Sequence, residues 1–176
     1  MGSLEDRIAR LEATVATLAD EREITRLVTA YGPLVDSGDA DAVAQLWTPD
    51  GVYDVDGLYM EGRDDIVAMV RSEAHQGLIA RGCTHLQGAV HVNLHGDEAL
   101  AASHSLLVVA VDGKGFRVLR ATAHHWRFVR TDAGWKVARR TSRTLDGNPD
   151  AHRLLNAGAH GVDLAADLPR RSAEDG

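Results

Sequence analysis

The chain has one cysteine, Cys83, in 176 residues, so no disulfide can form within it and cross-links do not hold the fold together. It also lacks positive charge: 19 Lys and Arg stand against 26 Asp and Glu, a formal net charge of −7. The basic residues are scattered among acids, which leaves no cationic stripe for a phosphate backbone or an anionic lipid surface. Nucleic acid and membrane are therefore not expected partners. No run of 18 apolar residues occurs, and the N-terminal residues carry no apolar leader segment, so the expectation is a soluble, cytoplasmic protein. A P-loop, a Rossmann glycine fingerprint, zinc-ligand spacing and a Gly-x-Ser-x-Gly elbow are all missing, as are repeats and low-complexity stretches.

What is present is ordinary globular composition, 44% hydrophobic and 26% charged, at a length that suits one core. We expect a single α+β domain over 1–160, with 1–19 as an N-terminal extension and 161–176 as a polar tail. Leu4, Ile8, Leu11, Val15 and Leu18 follow a 4-3-4-3 spacing behind Ser3 and Asp6, which read as a capping box. This is an amphipathic helix of little more than two heptads, which either packs on its own domain or joins a subunit contact. A second helix is expected over 21–36 with Pro33 inside it, and a third from Asp41 to Trp47 behind Asp39 as N-cap. Two short strands flank an Asp-Gly turn in "DGVYDVDGLYMEG", and a further helix spans Arg63 to His75. From Cys83 the pattern changes to long strands over 84–95, 98–111, 115–130 and 135–145, followed by a short helix over 148–156. Helices first and strands second imply helices lying against one face of a strongly curved sheet.

Nine histidines raise the question of a metal. His91 and His95, four apart on a strand, are separated by roughly 13 Å, too far for one ion. His124 and His125 point to opposite faces, so no metal site is expected. Asp36 is the unusual acid: it falls in the last turn of its helix, where the macrodipole disfavours an anion. His85 opens the first long strand in "GCTHLQG" among small and apolar residues. Either Asp36 accepts a hydrogen bond from the His85 ring and leaves the other ring nitrogen as a general base, or Asp36 only caps its turn and His85 is a satisfied core histidine.

The order "YGPLVDSGD…LWTPDGVYDVDG…GRDDI…THLQGAVHVNLHGDEA…WRFVRTDAGWKVARR" resembles the SnoaL-like branch of the nuclear transport factor 2-like α+β cone superfamily, over about 20–147. The resemblance implies a cone-shaped, mixed or antiparallel sheet wrapped around N-terminal helices, enclosing an apolar pocket. Relatives with the same Asp and His include scytalone dehydratase, bile-acid 7α-dehydratase and hexachlorocyclohexane dehydrochlorinase, in which the dyad abstracts a proton and water or chloride leaves. By that resemblance Asp36 and His85 are catalytic, Tyr31 is a phenol donor, and Arg140 is a pocket arginine, a role Arg139 or Arg143 could also fill. Tyr53, Cys83, Leu107 and His124 fall at pocket-lining positions.

The implied function is a cofactor-independent, dehydratase-like lyase acting on a small hydrophobic alicyclic or polyketide-like molecule. An isomerase or cyclase, or a binding and assembly module without chemistry, are the alternatives. A homo-oligomer, trimer or dimer, is implied by the same analogy.

Three departures stand out. Ala89 replaces an asparagine common four residues after the histidine. Strict alternation places His85 with His91 and Asn93, opposite Val90, Val92 and Leu94, so a pocket-facing His85 needs a bulge near Gly88; Arg140 likewise alternates against Trp135 and Val137. Relatives with an extra acid or histidine on a middle strand align it near Leu107, whereas His104 faces the other way.

Overall fold

A computed structural model of the chain describes residues 3–164 and Leu168. Most of the expected polar tail therefore lies outside the described residues. The elements run α1 (Leu4–Ser37), α2 (Ala40–Ala44), β1 (Trp47–Val55), β2 (Leu58–Glu61), α3 (Arg63–Arg71), α4 (Glu73–Arg81), β3 (Cys83–Gln87), β4 (His91–His95), β5 (Glu98–Val111), β6 (Gly115–Thr131), β7 (Gly134–Thr144) and α5 (Pro149–Ala159). Among the described residues no helix is long and apolar enough to cross a membrane.

The sheet order is β2-β1-β7-β6-β5-β3, with β4 also paired to β5. All pairs are antiparallel except β1 with β7, so the sheet is mixed and does not close. Its concave face is covered by α1, which buries Ile24, Val28, Tyr31 and Val35 against Trp47, Trp126, Phe128, Trp135 and Val137. Its other face carries α5, whose Gly158 comes so close that an added Cβ would stand 2.9 Å from the Ala102 Cβ. This is the expected α+β cone.

Several boundaries differ from the sequence reading. The two expected helices over 3–19 and 21–36 are one 34-residue helix, and Pro33 sits within it without ending it. The Ser3–Asp6 capping box is present, each side chain bonding the other residue's backbone N–H. α2 stops at Ala44, and Trp47 opens β1 instead of closing a helix. The expected helix over 63–75 breaks at Ser72, which caps a further helix, α4, through the His75 backbone N–H.

Three bulges set which side chains face inward. Gln87 pairs with Ser105 but His91 with Ala102, so four steps on one strand face three on the other. The break lies at Gly88, where an added Cβ would meet the His104 carbonyl at 2.9 Å. One strand expected over 84–95 is thus two, and His85 shares a face with Val92 and Leu94. On β6, Leu107 pairs with Arg120 and Val108 with Val118, leaving Leu119 extra. On β7, Phe128 pairs with Val137 but Arg127 with Arg139, leaving Ala138 extra and turning Arg140 to the face of Val137.

Candidate active site

The last turn of α1 meets the first residues of β3. His85 Nδ1 lies 2.6 Å from Asp36 Oδ1, and the His85 backbone N–H donates to Asp36 Oδ2 at 2.7 Å. One carboxylate therefore fixes both the ring and the strand that carries it. Burial pushes the Asp36 carboxyl up, but the hydrogen bonds from the His85 ring and backbone outweigh it and hold the group below its ordinary range. An ionised Asp36 accepts, so Nδ1 carries a ring proton, and in the neutral ring the lone pair is on Nε2. Both side chains are mostly buried, at 13% and 16% exposure. The approach depends on Gly32, one turn before Asp36, where an added Cβ would stand 2.5 Å from the His85 carbonyl oxygen.

Beside His85 lies a cavity of about 250 Å³ lined by Tyr31, Tyr53, Met60, Met69, Leu107 and further apolar side chains, with His75, Asp56 and Arg120 as its other polar members. Burial, and then the neighbouring Tyr53, raise the Tyr31 phenol well above its ordinary value against the opposing pull of Arg140. Tyr31 is therefore a neutral O–H donor. His75 is buried, donates from Nε2 to the Val35 carbonyl at 3.1 Å, and stacks over the His85 ring at an interplanar angle of 26° with centroids 6.1 Å apart.

Arg140 stands behind the two tyrosines, buried, with its guanidinium carbon 4.2 Å from the Tyr31 ring, 4.7 Å from Tyr53 and 4.3 Å from Trp126. Among the described residues its Nε and Nη1 have no hydrogen-bond partner. His124 lies in the same layer, its Nε2 on Ser105 Oγ and its Nδ1 on Ser142 Oγ, both at 2.8 Å. Burial, then the charges of Arg140 and Arg120, lower its pKa well below the ordinary histidine value, so this imidazole is neutral.

Of the residues singled out in the sequence, Tyr31, Tyr53, His85 and Leu107 line the cavity, and Asp36 is reached through His85. Arg140 and His124 belong to the layer behind that wall. Cys83 faces Asp36, with Sγ 4.0 Å from Oδ1; burial, then the Asp36 charge, raises its thiol. Arg143 is a buried partner of Asp54 on the opposite face, and Arg139 lies 3.7 Å from the same carboxylate. The sequence reading missed Arg120, His75 and Asp56.

Asp36, Cys83 and His85 form a group of metal-ligating type, with donor atoms within 4.8 Å of one another. Both Asp36 oxygens already accept from His85, and His85 Nδ1 could ligate an ion only by giving up the proton it shares with Asp36. As arranged, the group supports a proton acceptor better than a ligand set.

The SnoaL-like domain family matches residues 16–141. No match to a curated protein is found. Among solved structures, an NTF2-like protein with a cystatin-like fold from Novosphingobium aromaticivorans superposes with a TM-score of 0.80 at 42% identity, covering 88% of this chain and 98% of the other. A function-unknown protein from Mycobacterium tuberculosis superposes with a TM-score of 0.66 at 22% identity, covering 82% and 98%. A proposed scytalone dehydratase from Novosphingobium aromaticivorans does so with a TM-score of 0.63 at 21% identity, covering 74% and 87%. The chain belongs to the SnoaL-like family of the NTF2-like superfamily.

Proposed function

We propose that this protein is a cofactor-independent lyase that removes water from a small, largely hydrophobic alicyclic or polyketide-like molecule. The observation that carries the reading is the 2.6 Å contact of Asp36 with His85 at the wall of a cavity of mixed apolar and polar lining. A cavity of about 250 Å³ is just below the range typical of drug-sized ligands, about 300–1,000 Å³, which suits a substrate of one or two rings.

In the proposed reaction His85 Nε2 takes the proton from a carbon next to a carbonyl, and the C–H electron pair becomes the new C=C bond as the β-hydroxyl leaves. The Tyr31 phenol donates to the oxygen that gains negative charge, and the proton held on His85 leaves with hydroxide as water. Asp36 keeps the ring in the productive tautomer and stabilises the imidazolium. Arg140, behind Tyr31 and Tyr53, adds positive potential to the side where that charge develops. A shared fold with a proposed scytalone dehydratase is in keeping with this reading.

The test is a panel of one- and two-ring β-hydroxy ketones, followed by the absorbance of the enone product. His85→Ala should lower turnover by about 10²- to 10⁴-fold while ligand binding survives. A product isomeric with its substrate would assign an isomerase or cyclase instead. Binding without turnover, changed only modestly by His85→Ala, would assign a binding module.

A further inference from the structure

α1 extends well beyond the body of the protein. Residues 3–19 are solvent-exposed on every side, about 25 Å of helix at 1.5 Å per residue. This stretch shows water a stripe of Leu4 (69% exposed), Ile8, Leu11 (65%), Val15 (64%) and Leu18. We propose that this stripe pairs with the same stripe of a second copy of the chain as a parallel, two-stranded coiled coil, making the protein a dimer joined along its projecting helices.

The spacing fixes the register. Ile8 and Val15 occupy the a positions, and Leu4, Leu11 and Leu18 the d positions. β-Branched residues at a with leucine at d favour two strands over three or four. The flanking charges favour parallel alignment: Arg7 at g faces Glu12 at e of the partner subunit, and Glu21 at g faces Arg26 at e of the partner subunit. Antiparallel pairing centred on Leu11 would instead bring Glu12 against Glu12 of the partner subunit. A lipid surface is a poor occupant, because Glu5, Asp6 and Glu12 outnumber Arg7 and Arg10 along the stretch.

A free peptide of two heptads would not hold together, since helix nucleation opposes it. Here the helix already exists. Its first turn is closed by the Ser3–Asp6 capping box, and its other half is locked into the core through Ile24, Val28, Tyr31 and Val35. Those four residues fall at c and g positions, about 150° around the helix from the seam residues, so a partner helix would not compete with the sheet. The SnoaL-like match begins at residue 16, so most of the seam lies outside the matched domain.

Sedimentation velocity on the full chain tests the proposal. The wild type should sediment as a dimer at micromolar concentration, and Ile8→Glu with Val15→Glu should weaken association by at least about 100-fold. The near-ultraviolet dichroism of the core tryptophans should stay unchanged in that variant, which separates loss of pairing from loss of fold. Arg7→Glu should weaken the dimer, and adding Glu12→Arg should restore it. In a Cys83→Ser background, Leu18→Cys should cross-link to itself. A monomeric or trimeric wild type, a glutamate variant that keeps the wild-type mass, or a Leu18→Cys chain that cross-links only when mixed with Leu4→Cys would each overturn the proposal.

Discussion

Arg140 and Arg143 lie three residues apart on β7, both buried, and their surroundings could hardly differ more. Arg143 faces α5 and is held by Asp54 through two bonds of 2.8 and 3.2 Å. Arg140 faces the helices, has no carboxylate beside it among the described residues, and rests on three aromatic rings with two nitrogens unbonded to any described residue. A buried cation with a matched anion is part of the scaffold. A buried cation without one keeps its positive potential for another charge to use, and the proposed reaction develops negative charge one ring away.

The sharpest way to break this contrast is to remove each partner. Asp54→Ala leaves the Arg143 charge buried, and urea unfolding should show a loss of about 3–5 kcal/mol. Arg140→Met should leave stability nearly unchanged, because the several kcal/mol needed to bury the ion are matched by three cation–π contacts of about 2 kcal/mol each. Turnover should nonetheless fall by about 10²-fold with KM little altered, since the lost potential acts on charge formed during reaction. Equal stability losses in the two variants would erase the distinction.

Asp36→Asn probes the same face more gently. It keeps the shape but replaces an anion with an amide, and steady-state kinetics should show a loss of about 10- to 100-fold, smaller than for His85→Ala.

The smallest effect comes from His124. Its native pKa is depressed, so below about 6.5 the unfolded chain takes up a proton that the native chain refuses. Stability is therefore full above that pH and should decline as pH falls, by about 1.4 kcal/mol per unit at most. Urea midpoints at pH 7 and pH 5.5 should show the slope, and His124→Asn should flatten it. The depressed Asp36 carboxyl adds a second loss only below its ordinary value near 3.8.

Much of this was legible in the sequence, unevenly. The α+β class, the capping box and the strand-rich second half follow from periodicity and turn residues, and the cone from the resemblance to the SnoaL-like branch. Asp36 and His85 stood out because each lacked a local reason to be where it is. Alternation also flagged that His85 and Arg140 need a bulge to share the site face, and Gly88 marked one. The other was invisible, because Ala138 has no backbone signature of its own. His75 was hidden inside a helix taken as continuous, although Ser72 followed by Glu73 was a signal for a new N-terminus. Arg120 could not be placed without the slip at Leu119. Gly32 reads as a poor helix residue until its contact with the His85 carbonyl is seen, a relation between elements that local propensity does not encode.

Ala138 carries no chemistry, yet it decides which of its neighbours does. Pairing it with Arg127 in place of Arg139 would restore simple alternation to β7, bring Arg139 in place of Arg140 toward the tyrosines, and turn Arg143 away from Asp54. In a deletion scan of this strand, the omission of Ala138 should thus be the mildest, because it leaves every paired residue on its own face, and a sheet counts its positions before it reads them.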